Sequence, residues 1–114
     1  MDPIARNHLV SELVTLLASG DYDALLRKAP RSRVDAKQLA SAVKDYGRQI
    51  MPLPPANYQL IDCIPVRGSK PQAWSVVVPL FTREEGRSDL TLELTISQSQ
   101  TGRLVAQIDG MHVL

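Results

Sequence analysis

The chain has 114 residues, enough for one domain with its own core. Thirteen Lys and Arg against twelve Asp and Glu leave a net charge of +1, which argues against a protein held to a polyanion by bulk charge. One cysteine excludes an intramolecular disulfide and a cysteine-based zinc cluster.

The apolar residues keep a helical period up to about residue 50 and a strand-like alternation after it. Asp2-Pro3 is a helix start, a capping residue followed by proline at the first helical position. Leu9, Val10, Leu13, Val14, Leu16 and Leu17 then form a broad apolar stripe, and Ser19-Gly20 is a stop. Asp21 caps a short second helix carrying Tyr22, Leu25 and Leu26, ended by Pro30. Asp35 and Gln38 predict a capping box for a third helix over 35–47. Pro52, Pro54 and Pro55 read as an extended connector.

Strands are predicted from about Tyr58 to Val66, over Trp74 to Thr82, over Asp89 to Ser97 and from about Arg103 to Val113. In the third, Leu90, Leu92, Leu94 and Ile96 point one way and Thr91, Glu93 and Thr95 the other. Pro65 and Pro79 lack an N–H and belong at an edge or a bulge. The connections are short, which favours an antiparallel meander. Helices followed by strands give an α+β domain: three N-terminal helices on a four-stranded antiparallel sheet.

The stretch Leu9-Val10-Ser11-Glu12-Leu13-Val14, leading to Ala18-Ser19-Gly20-Asp21-Tyr22, resembles the opening of NTF2-like (cystatin-like α+β) domains. Trp74 to Val78, Glu84 to Leu94 and Ile108 to Leu114 resemble an uncharacterised family of small bacterial proteins. The first resemblance implies helices around a cone-shaped cavity, here in reduced form. It also implies a role as an enzyme, a ligand binder or a binding module, immunity proteins of toxin systems among them. Fold alone does not choose between these roles.

No assembled catalytic motif stands in the chain, and no cofactor or metal is implied. The leading expectation is a cytoplasmic, non-catalytic binding protein of the immunity or antitoxin type that occludes a partner toxin. Homodimerisation is compatible with it. Its expected contacts are Glu84, Glu85, Arg87 and Asp89, displayed around a turn, together with Trp74. The alternative is a small-molecule binder or enzyme whose cone is lined by Glu93, Asp109 and His112. Asp109 and His112 fall on opposite faces of a regular strand, and a bulge at Gly110 would reunite them. Cys63 with His112 is a formal thiol–imidazole pair, although Cys63 reads as a small apolar residue. Arg27, Lys28, Arg31, Arg33, Lys37, Lys44 and Arg48 make a basic segment without interleaved aromatics, which fits a solvated or partner-facing patch better than nucleic acid. No apolar run spans a bilayer.

Overall fold

The computed structural model describes residues 1–113, so Leu114, the last residue of the Ile108–Leu114 stretch, lies outside the described residues. Helix α1 covers Pro3–Ser19, α2 Tyr22–Lys28 and α3 Ala36–Tyr46. The caps are those the sequence predicts. Asp2 accepts the Ile4 N–H, and Asp21 accepts the Ala24 N–H. Gly20 ends α1 at φ +76°, where any side chain would be strained. The capping box of α3 is closed both ways: Asp35 Oδ1 accepts the Gln38 N–H at 2.8 Å, and Gln38 Oε1 accepts the Asp35 N–H at 2.9 Å.

Five strands follow: β1 Ile50–Met51, β2 Asp62–Pro65, β3 Ala73–Thr82, β4 Gly86–Gln98 and β5 Leu104–Val113. All pairs are antiparallel, in the order β1-β3-β4-β5. β1 and β2 share one edge of β3, β1 at Phe81–Thr82 and β2 at Trp74–Val77. The fold class is therefore the α+β arrangement read from the sequence, with one strand more than expected. That strand is two residues long because Pro52 has no N–H to continue a ladder. The expected first strand also shortens. Residues Pro55–Leu60 form a 3₁₀ helix, since two prolines pre-set its first turn and the Asn57 N–H closes on the Pro54 carbonyl at 2.9 Å.

Pro79 stands where neither β1 nor β2 reaches, beside a register shift against β4. There β4 carries Ser88, Asp89 and Leu90 opposite Leu80 alone. The buried Ser88 hydroxyl fills the broken ladder: it donates to the Leu80 carbonyl at 2.8 Å and accepts the Leu90 N–H at 3.2 Å.

The core lies between helices and sheet. Val10, Leu13, Val14 and Leu17 of α1, Leu25 of α2 and Leu39 of α3 meet Val76, Val78, Leu80, Leu90, Leu92, Leu94, Ile96, Ala106 and Ile108, all buried. Each large aliphatic side chain so buried contributes about 1.5–3 kcal/mol. Between α2 and α3 the chain docks on the outer edge of β5. The Arg33 N–H donates to the Ile108 carbonyl at 2.9 Å, and Ser32 Oγ accepts the Ile108 N–H at 2.9 Å. This tie holds the helical layer to the sheet and leaves the other sheet face uncovered.

Candidate functional site

The uncovered face is built by alternation. With the leucines of β4 turned to the helices, Thr91, Glu93 and Thr95 turn away from them. Their β5 neighbours are His112, Gly110 and Gln107. Glu93 pairs with Gly110 and Leu94 with Ile108, so Asp109 is an extra residue, a β-bulge. The extra residue restores Asp109 and His112 to one face, which a regular strand would forbid.

The side chains there fall into two groups, one around Asp109 and one pairing His112 with Glu93. Asp109 Oδ2 accepts from the Thr95 hydroxyl at 2.6 Å, and Oδ1 accepts from the Gln107 amide at 2.7 Å. Arg33 Nε stands 3.7 Å from Oδ1. His112 Nε2 lies 3.7 Å from Glu93 Oε2, with the two side chains 59% and 37% exposed. Thr91 Oγ1 donates to the His112 carbonyl at 3.0 Å. The imidazole lies over Gly110, whose missing Cβ would sit 2.5 Å from His112 Nε2. Glycine is what leaves room for the Nε2 end of the ring, which also reaches toward Glu93.

Glu93 and His112 are open to solvent, Asp109 is half-buried, and Thr91 is buried. Of the surface cavities of about 280 to 470 Å³, one is lined by Thr91 with Pro79, Arg87, Ser88 and Asp89, and Glu93, Asp109 and His112 line none. The space beneath the helices, where the resemblance implied a cone, holds packed leucine, isoleucine and valine. Glu93, Asp109 and His112 are thus brought together, but on the side away from that space. Among the described residues no three His, Cys, Asp or Glu side chains are placed to hold a metal ion.

The turn residues have structural duties. Glu84 accepts the Gln49 N–H at 2.9 Å, a bond that holds its carboxyl below the usual range. Glu85 accepts from the Tyr46 hydroxyl at 2.7 Å, which raises the tyrosine's pKa, and Arg48 Nε lies 3.6 Å away. These contacts fasten the β3–β4 turn to the end of α3. Arg87 and Asp89 are exposed. Trp74 is a correction to the expected contact set: it is 8% exposed and part of the core. Cys63 and His112 do not form a pair. Cys63 pairs with Val76 on the helix-facing side of β2, while His112 is on β5, three strand spacings away, about 14 Å, on the opposite face.

The basic segment is dispersed. Lys28 Nζ bonds Glu12 at 2.9 Å and lowers the glutamate's pKa, Arg33 faces Asp109, and Arg48 faces Glu85. Thr95, read from the sequence only as facing away from the leucines, and Arg33, read only as part of the basic segment, belong to the face, as does Gln107, which the sequence did not single out. For Arg33 the signal is absent, because the docking of residues 32–33 on β5 is long-range. For Thr95 it is the Asp-Gly pair inside a strand pattern, which marks the bulge that delivers Asp109.

A family model described as a domain of unknown function (DUF7668) matches residues 14–114. The chain belongs to that family. The match includes every residue of the uncovered face named above and excludes most of α1. No curated protein and no solved structure matches the chain. Among the described residues no helix is long and apolar enough to cross a membrane.

Proposed function

We propose that this chain is a non-catalytic binding protein that presents the uncovered face of its sheet to a protein partner. One observation carries the reading. The chemistry-bearing side chains share one sheet face, Asp109 hydrogen-bonded to Thr95 and Gln107 and Glu93 beside His112 at 3.7 Å, whereas the helix-facing side is filled with apolar side chains. A catalytic or ligand site wants convergent polar groups in a concave, water-excluding pocket. A protein contact wants an accessible surface whose side chains are already ordered, so that little rotamer freedom is lost on docking. Ile64 and Val105 extend this face with exposed apolar surface, at 58% and 37%.

The specific form of the proposal is neutralisation of a toxin in the cytoplasm by covering its active site. That form rests on the resemblance to NTF2-like domains. Affinity capture from the source cells, at low and moderate salt, tests the reading. Wild type retains a stoichiometric protein partner, and the Glu93→Ala/His112→Ala variant loses it. Retention of a small molecule in place of a protein overturns the proposal and returns the choice to a ligand binder.

A further inference from the structure

A second surface lies on the helical side, at the start of β5. A groove of about 460 Å³ runs between α1, the end of α2 and β5. Its floor is apolar, from Leu9, Leu104 and Val105, and its rim carries Arg27, Lys28 and Arg103. Glu12 also lines it, but its carboxylate is taken by Lys28 at 2.9 Å and His8 at 2.8 Å. Among the described residues Arg27 and Arg103 have no ion-pair partner. The groove therefore keeps an uncompensated positive charge from two guanidiniums, over an apolar floor.

The β5 edge adds a directional feature. Ile108 turns its N–H and C=O away from β4, as its bonds to Ser32 and Arg33 show. Main-chain groups alternate along a strand, so those of Leu104 also turn outward, into the groove. The carbonyl of Arg103, one residue earlier, turns inward to the Ser99 N–H. Ala106 is covered by the helical layer and Ile108 is capped, so the edge offers one outward pair, at Leu104. That length suits a short extended segment and not a full added strand.

We propose that this groove binds a short acidic peptide segment of a partner protein, its carboxylates on Arg27 and Arg103 and its main chain on Leu104. The charge chooses an anionic occupant, and guanidiniums fit carboxylates in a bidentate fork. The outward N–H and C=O together choose a peptide. Nucleic acid fits less well, because no aromatic side chain lines the groove for base stacking. The groove borders the uncovered sheet face at Val105, but none of Glu93, Asp109 and His112 lines it, and its occupancy does not depend on that reading.

The test is an amide-resolved NMR titration of the full chain with acetyl-Glu-Val-Glu-Val-Glu-amide. Saturable shifts are expected at Arg27, Arg103, Leu104 and Val105. The lysine analogue of the peptide should bind at least tenfold more weakly. Arg27→Glu/Arg103→Glu, both exposed positions, should lower the affinity at least tenfold with an otherwise unchanged spectrum. Of two peptides N-methylated at the valines or at the central glutamate, one should lose at least tenfold. Absence of saturable shifts, equal binding of both methylated peptides, or saturation of the same residues by inorganic phosphate or a thymidine oligonucleotide at lower concentration overturns the proposal.

Discussion

Ser88→Ala probes the way the sheet is assembled. The Ser88 side chain stands in for a broken ladder: the Leu80 carbonyl and the Leu90 N–H both depend on its hydroxyl, at 2.8 and 3.2 Å. Ser88 is 6% exposed and both leucines are buried, so water does not replace the hydroxyl easily. A buried main-chain group left unpaired costs about 1–3 kcal/mol. Two such groups, one held by a longer bond, give about 2–3 kcal/mol. For a chain of this size that lowers Tm by roughly 8–12 °C, at about 4 °C per kcal/mol. Urea denaturation, with Ser97→Ala as a half-buried control, measures it. The control should stay within about 0.5 kcal/mol of wild type. A Ser88→Ala loss under about 0.5 kcal/mol would refute the reasoning, because both groups would then have other partners.

Three further outcomes are expected. Gly110→Ala places a Cβ where His112 Nε2 sits, 2.5 Å away, and the exposed ring swings off. Stability changes by no more than about 1 kcal/mol, since a surface pair is worth little, while ring contacts between His112 and residue 110 vanish from the NOE spectrum. Trp74→Ala costs about 3–5 kcal/mol in denaturant unfolding, as for any large core side chain; a change confined to partner affinity would contradict its placement in the core. Glu12 has a depressed pKa through its hydrogen bond from Lys28, so its contribution is present above the unfolded carboxylate pKa and fades as pH falls through the lower folded value. Urea midpoints at neutral and strongly acidic pH should therefore differ less for Glu12→Gln than for wild type.

The fold was legible where the signals are local. Asp2, Asp21 and Asp35 cap helices from within a few residues, and the leucine alternation of β4 needs only its own strand. The 3₁₀ helix over Pro55–Leu60 was not legible as such, because Tyr58, Leu60 and Ile61 also satisfy a strand pattern and proline chemistry decides between them. The face was partly legible. Glu93, Asp109 and His112 follow from residue type and parity once the Asp-Gly pair is read as a bulge. Which side of the sheet they occupy depends on where the helices pack, and Arg33 joins them only through the docking of residues 32–33 on Ile108. Glu84 and Glu85 look like displayed turn residues from sequence. Their bonds to Gln49 and Tyr46 join segments more than thirty residues apart.

The most direct test of the binding proposal is a steric block at the middle of the uncovered face. Ser75 is exposed there, opposite Ile64 on one side and Thr95 on the other, and its side chain makes no hydrogen bond among the described residues. Ser75→Arg should leave Tm within about 2 °C of wild type, as a surface change away from special contacts. The affinity of the captured partner, measured by calorimetry, should fall at least a hundredfold. An unchanged affinity for Ser75→Arg would show that the partner docks elsewhere and contradict the proposal.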